Sequence, residues 1–279
     1  MNFFYDIFDG GAPFLRYALL AGLFGSIAFG MVGTLVVTRR IVSLAGAIAH
    51  SVLGGVGAAI YLHNVGGYEW CTPGGGALIA AIASALLIWY VSTYAQERED
   101  AVISAIWALG MALGLLFLAK TPGYVDLQSY LFGNILLLSG SELRGMILLD
   151  IIVGVPMVLF FNQLLAVSFD GEFAELRGIP VRFVNLITLL LTALTIVFLV
   201  HVVGILLVIA LLALPAAAAG QFAVRWRSMM ILAIIICMAV TTGGLAVSYQ
   251  LDWPSGPAIV LLGSFVYMLA LFIRWWRKC

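Results

Sequence analysis

Residues 183–224 form the longest stretch of this chain without a charged side chain, and they limit the possible folds more than any other feature. As one helix they would extend about 63 Å, which is roughly twice the hydrocarbon thickness of a bilayer. The stretch therefore has to contain two membrane-crossing helices joined by a turn, and we expect the turn at residues 201–204, near its middle. This pattern predicts a chain that crosses a membrane repeatedly.

The composition excludes an ordinary water-soluble domain. Hydrophobic residues make up 64% of the 279 residues, and charged residues make up only 9%. The 13 basic residues balance the 13 acidic ones, so the charge gives no indication of a nucleic-acid partner. The three cysteines, Cys71, Cys237 and Cys279, are scattered and show no disulfide or metal-binding spacing.

Apolar runs of span length predict about nine transmembrane helices. We therefore expect an all-α fold, a polytopic transmembrane helical bundle that forms a single domain, residues 1–279. Residues 127–138 are apolar but too short to cross, and we expect a re-entrant or interfacial piece there. The expected spans are residues 13–38, 41–63, 75–95, 101–119, 143–169, 183–200, 202–224, 228–250 and 256–273.

The basic residues predict the orientation of the bundle. Ten lie at one set of span ends and three at the other, so the positive-inside rule places the first set in the cytoplasm. The N-terminus is then expected outside and the C-terminus inside. The ten are Arg39, Arg40, Arg98, Arg177, Arg182, Arg225, Arg227, Arg274, Arg277 and Lys278, and the three are Arg16, Lys120 and Arg144.

An ionisable residue, His50, lies near the middle of the second expected span. A helix rises roughly 14 Å from Ile41 to His50, about half of the hydrocarbon thickness, so we expect the imidazole near the midplane. The positions four residues away on either side are Gly46 and Gly54, which leaves this helix face without side chains. Such a face indicates a transport pathway or a close helix contact, and a histidine simply packed against a carbonyl group is an equal alternative.

Pro215 and Asp150 are two other unusual residues within expected spans. Pro215 lies about midway through its span, where it removes a backbone hydrogen bond and should bend the helix. Bent or broken helices at this depth often line binding sites, so a pathway kink is one interpretation and a purely structural kink is the other. Asp150 lies about seven residues into the fifth span, and we interpret it as a polar tether near the outer interface rather than as a proton carrier.

The loop at residues 168–182 has the pattern of a short amphipathic helix. Asp170 is a suitable N-cap, and the sequence from Arg177 to Pro180 should end the helix. The helix would lie flat at the membrane interface or provide a docking surface for another protein. The residues that would form this surface are Asp170, Glu172, Phe173, Leu176 and Gly178.

Nucleotide-binding and hydrolytic motifs are absent from the sequence. Neither of the two lysines follows a glycine, so ATP cannot be bound by a P-loop. The chain also lacks the His-Glu-x-x-His, Gly-x-Ser-x-Gly and Cys-x-x-Cys patterns. We therefore expect a protein that is not an enzyme.

Five stretches together resemble one family, the membrane permeases of ATP-binding-cassette importers for manganese, zinc and iron. The first contains Arg39-Arg40-Ile-Val-Ser-Leu-Ala-Gly-Ala-Ile-Ala-His50, and the others follow in the order found in the family. They are distributed from residue 39 to residue 258, so the resemblance extends along nearly the whole chain. They are residues 39–56, 129–136, 169–180, 203–219 and 252–258.

The resemblance implies a type II importer permease in the bacterial plasma membrane. Its partners would be a second copy of itself, two cytoplasmic ATPase subunits and an external metal-binding protein. No cofactor is expected to stay bound, and the transported divalent metal would pass His50, with room for the ion and its waters beside Gly46 and Gly54. The segment around residues 169–182 would be the coupling helix that contacts the ATPase.

The sequence departs from the family pattern at Gly46. Many members carry an aspartate four residues before the histidine, which would place a carboxylate and an imidazole on one helix face. Without that oxygen ligand, His50 suits zinc, copper, nickel or iron better than manganese. Two alternatives stay open: a permease for a metal chelate, and an integral-membrane enzyme with histidine metal ligands, which the separation of His50, His63 and His201 disfavours.

Overall fold

The computed structural model describes residues 13–94, 99–122, 131–133, 138 and 140–277. Regular secondary structure in these ranges is entirely helical, which confirms the all-α prediction. The piece predicted at residues 127–138 lies largely outside the described residues. The helices are α1 Pro13–Thr38, α2 Val42–Asn64, α3 Pro73–Tyr94, α4 Glu99–Lys120, α5 Gly140–Leu159, α6 Phe161–Phe169, α7 Gly171–Leu176, α8 Val181–Val203, α9 Ile205–Ala219, α10 Trp226–Leu251 and α11 Ser255–Trp276.

The transmembrane bundle is confirmed, although the predicted count of about nine spans is slightly too high. Seven described helices, α1 to α4, α8, α10 and α11, are long and apolar enough to cross a membrane. The expected span 143–169 is bent by 72° between α5 and α6 and is an eighth crossing only if this pair is counted as one. The expected span 202–224 contains only α9, whose length of roughly 22 Å is less than the ~30 Å hydrocarbon core.

The long uncharged stretch turns back at the expected position. Helix α8 ends at Val203 and α9 begins at Ile205, with Gly204 between them at φ 81°. Near the start of α8, Thr188 accepts a hydrogen bond from Arg39, and the last turn of α9 packs with Val37. The two helices therefore run in opposite directions. Glycine is required at position 204 because its φ is positive and the backbone of residues 132–133 lies against its Cα.

Hydrogen bonds between loops and helices hold basic side chains at one end of the bundle. Arg39 donates hydrogen bonds to Thr188 (2.8 Å) and to Asn185, and Arg274 donates one to Gln221 at 2.6 Å. Burial lowers the pKa of the Arg39 guanidinium. We call this the arginine end, defined by residues 39–40, 177–182, 221–227 and 274–277, and the other side of the bundle the opposite end. Arg98 and Lys278 lie outside the described residues.

The spans pack in two groups. Helix α2 contacts α3, α4 and α8, whereas α1 contacts α9 and α10, and α11 covers the latter two. Glycines permit the closest approaches, as at Gly55 of α2 and Gly76 of α3, whose backbones lie against each other. Close backbone approach supplies the van der Waals packing on which helix association in a membrane depends.

Candidate functional site

His50 lies in the interior of the bundle. It is eight residues from the start of α2, about 12 Å along the helix axis, and only 5% of its surface is exposed. Its Nδ1 atom is buried and has no hydrogen-bond partner among the described residues. The alternative of a histidine whose Nδ1 bonds a neighbouring carbonyl group therefore finds no support. An unpartnered buried nitrogen is rare in proteins and suggests a ligand or a second molecule as its partner.

Trp107 of α4 covers one face of the imidazole. The two ring centroids are 4.5 Å apart, and the ring planes differ by 23°, which is a stacked arrangement. Sequence reasoning did not identify Trp107. The available signal was the small-residue pair Gly110 and Gly114, which has nearly the same spacing as Gly54 and Gly57 in α2 and could have indicated that the two helices pack together.

The glycine face of α2 packs against α4. A Cβ atom added to Gly46 would lie 2.8 Å from Cζ3 of Trp107, and one added to Gly54 would lie 2.9 Å from the carbonyl oxygen of Gly110. Both distances are shorter than real Cβ contacts. Within one copy of the chain α4 therefore fills the space beside both glycines, which supports the interpretation of a close helix contact. The assignment of Gly46 and Gly54 to the metal pathway stays a prediction.

At most one other His, Cys, Asp or Glu side chain could join His50 at a metal ion in the described structure. No group of three or more His, Cys, Asp and Glu residues that could hold a metal ion occurs in the described ranges. Any ion at His50 would need further ligands from water, backbone carbonyls or a second copy of the chain. This is a donor set for transient binding, and the assignment of His50 as a metal ligand stays a prediction.

Pro215 lies inside α9, four residues before the helix ends, and is buried. The helix continues through it, and the chain reverses at Gly204 instead. The largest bend between described helices of one expected span lies between α5 and α6, at Phe160, four residues after the helical proline Pro156. A pathway role for Pro215 stays a prediction.

The predicted short helix after the fifth expected span is present as α7. Asp170 is its N-cap, and the carboxylate accepts a hydrogen bond from the Phe173 backbone N–H at 2.9 Å. Glu172 lies in the first turn, as expected, and Gly178 follows the helix with φ 77°. Ala174 is fully buried and fixes the helix to the bundle.

The outer face of α7 is unusually apolar for a surface helix. Leu176 is 87% exposed and Phe173 is 51% exposed. The Arg177 guanidinium carbon lies 5.1 Å from the centroid of the Phe173 ring, which is a cation–π contact. The face therefore combines two large apolar side chains with charged neighbours, and it lies at the arginine end.

Asp150 lies midway along α5. The helix begins at Gly140 and carries Glu142 and Arg144 in its first turns, so Asp150 is ten residues, about 15 Å, from the helix start and six residues, about 9 Å, beyond Arg144. The interpretation of a polar tether near the outer interface finds no support, because neither carboxyl oxygen has a hydrogen-bond partner among the described residues.

A bundle of seven or eight apolar spans, with a buried unpartnered histidine inside and an exposed apolar helix at one end, is typical of a membrane transport protein. The chain belongs to the ABC 3 transport family, whose profile matches residues 12–274. This match confirms the resemblance to the importer permeases described above.

Individual relatives cover almost the whole chain. The manganese transport system membrane protein MntC of Halalkalibacterium halodurans is 32% identical, covering 99% of this chain and 95% of its own length. The uncharacterised membrane protein slr2045 of Synechocystis is 37% identical, covering 94% and 91%. A chain of PsaBC from Streptococcus pneumoniae, solved in complex with Fab, superimposes with a TM-score of 0.85 at 27% identity and covers 97% of this chain and 95% of that one.

Proposed function

We propose that this chain is the permease subunit of an ATP-binding-cassette importer that carries a divalent transition metal, zinc, manganese or iron, into a bacterial cell. Membership of the ABC 3 transport family supports the transport role, and a relative named for manganese transport supports a metal substrate. The single observation in the structure that carries the metal assignment is the buried Nδ1 of His50, which lacks a partner among the described residues.

His50 would act as a transient ligand on the metal pathway. A neutral imidazole nitrogen is a good ligand for zinc and iron and a weaker one for manganese. Few ligands are an advantage in a pathway, because an ion held by many rigid groups would not leave. Trp107 covers one face of the ring, so a metal would approach the edge that carries Nδ1.

Energy would enter through α7. The sequence has no P-loop, so a separate cytoplasmic ATPase has to supply the work, and the exposed pair Phe173 and Leu176 is suited to insertion into an apolar groove of such a subunit. The same arrangement requires the arginine end in the cytoplasm, in agreement with the positive-inside rule. The permease would work as one domain per chain, paired with a second copy and supplied by an external metal-binding protein.

Metal uptake tests the role of His50. We expect His50→Ala to reduce uptake of radiolabelled zinc, manganese or iron by at least tenfold while the ATPase still copurifies. His63→Ala is the matched control, since His63 lies in the last turn of the same helix and is exposed, and it should transport normally. Normal transport by His50→Ala would show that the imidazole only packs and would remove the main support for this metal site.

Copurification tests the coupling surface. We expect Leu176→Glu to abolish both uptake and copurification of the ATPase, because it places a charge in the centre of the apolar face. Val224→Glu is the control, since Val224 is 98% exposed at the arginine end but lies outside α7. Equal effects of the two variants would show that α7 has no special part in the contact.

A further inference from the structure

The carboxyl group of Asp150 lies midway along α5 and has no hydrogen-bond partner among the described residues. Both of its oxygens are buried, and neither forms a hydrogen bond to any described residue. The backbone N–H of Ala28 in α1 approaches the carboxyl group, but the geometry falls short of a hydrogen bond. That N–H lies within α1, where the regular α-helical pattern already uses it as a backbone hydrogen-bond donor.

No described charged group lies where it could compensate a charge on Asp150. Helix α5 packs against α1 and α8 and touches α6. Their titratable and charged residues lie near the helix ends, and α6 has none. An ionised, unpaired carboxylate in the hydrocarbon region is costly, whereas a neutral carboxylic acid is far less so. The residues concerned are Arg16 and Tyr17 in α1, Arg182 and His201 in α8, and Glu142 and Arg144 in α5.

A cavity ends about one helical turn from Asp150, on the side of the opposite end of the bundle, and Asp150 itself is not in its lining. Its volume is about 440 Å³, and it lies between α3, α5 and α8. Glu142 and His201 are the ionisable residues in its lining. Its lining also includes Met146, which lies four residues before Asp150 on the same helix face, about 6 Å along the axis. The lining is largely apolar, with Ser141, Glu142 and His201 as its polar side chains, and a space of this size beside them accommodates several water molecules.

We propose that Asp150 is a proton-binding site in the membrane interior and that the cavity beside Glu142 and His201 is the route by which the proton reaches it. The step is a simple protonation: a proton leaves a hydronium ion or a carboxylic acid at the cavity mouth and joins the Asp150 carboxylate, which becomes a neutral acid. No other bond is formed or broken. The proton leaves by the reverse step when Asp150 is exposed to water.

The proton would link pH to the packing of α1 against α5. The arrangement seen here buries the carboxyl group and so favours its protonated form, whereas any arrangement that hydrates Asp150 favours the charged form. Acid conditions on the side of the cavity would therefore stabilise the packed arrangement. If the proposed uptake function is correct, metal transport would depend on external pH through Asp150. Only this consequence rests on the proposed function.

Infrared difference spectroscopy of the purified protein tests proton binding without requiring transport. We expect the carbonyl stretch of a protonated carboxylic acid in the wild type, and we expect this band to be absent from Asp150→Asn. Asp252→Asn, which changes an exposed carboxylate outside the spans, should leave the band unchanged. A band that persists in Asp150→Asn overturns the proposal, and so does a wild-type band that disappears when zinc or manganese is added, because Asp150 would then bind a metal.

Filling the cavity tests the route. A Cβ atom at Gly145 would meet only Phe198, at 3.8 Å, so Gly145→Leu places a side chain in the cavity without straining the backbone. We expect this variant to slow hydrogen–deuterium exchange of the Asp150 carboxyl, followed by the isotope shift of the same band, by at least tenfold. Gly140→Leu, where a Cβ meets nothing within 4 Å, should exchange at the wild-type rate. Unchanged exchange in Gly145→Leu would refute the route, and loss of uptake in every protein, wild type included, would count against the proposed transport function only.

Discussion

The contact between Gly46 and Trp107 predicts a specific response to a single added methyl group. Gly46→Ala would place a Cβ atom 2.8 Å from Cζ3 and 3.2 Å from Cη2 of the Trp107 ring. The ring has to move, and its movement disturbs the stack with the His50 imidazole. Gly145→Ala is the matched control, because the same change within a span meets only Phe198, at 3.8 Å.

The two substitutions should change stability in opposite directions. Replacing glycine by alanine inside a helix stabilises it by about 0.5–1 kcal/mol, and Gly145→Ala should show this gain. At Gly46 the overpacking costs about 1–3 kcal/mol, and weakening an aromatic stack costs a further ~0.5–1.5 kcal/mol. The net expectation for Gly46→Ala is a loss of about 0.5–4 kcal/mol, after the helix gain is subtracted.

Thermal unfolding in detergent at a fixed scan rate measures these differences. Trp107→Leu removes the obstructing ring, so Gly46→Ala should cost clearly less in that background than in the wild type. Trp107→Leu is also the background in which Gly46→Asp would have space to provide the carboxylate that many family members carry. If Gly46→Ala is as stable as Gly145→Ala, or if its effect is unchanged by Trp107→Leu, the indole does not occupy the space beside His50.

Three further predictions concern other parts of the chain. Gly204→Ala should lower the unfolding midpoint, because φ 81° costs a residue with a side chain about 1–3 kcal/mol and residues 132–133 leave no space for a Cβ atom. Gly140→Ala should not lower the midpoint, and an unchanged midpoint in Gly204→Ala would contradict the turn at Gly204. Asp170→Ala should remove the N-cap of α7, worth about 1 kcal/mol, and weaken ATPase copurification, while Asp170→Asn should preserve both; equal behaviour of the two would refute the role of the cap. A reporter fused after Cys279 should be active only in its cytoplasmic form, and an external signal would show that the predicted orientation is wrong.

The sequence was sufficient where the determinant is local. The absence of charge from residues 183–224 required a reversal near their middle, and the structure breaks the helix at Gly204. The pattern around Asp170 specified a capped helix because its cap bonds an N–H three residues away. The membrane class followed in the same way, since the apolar length of each span is a property of its own residues.

The tertiary structure decided the features that depend on how helices rotate and slide against each other. The sequence showed a bare face on α2 but not its occupant, because the register of α4 determines that Trp107 lies on His50. It showed Asp150 within a span but not the packing of that span against α1, which leaves the carboxyl group without a hydrogen-bond partner among the described residues. The physical reason is that hydrophobic pattern specifies which segments enter the membrane, whereas the site is formed by van der Waals contacts between segments distant in sequence, which no local pattern encodes.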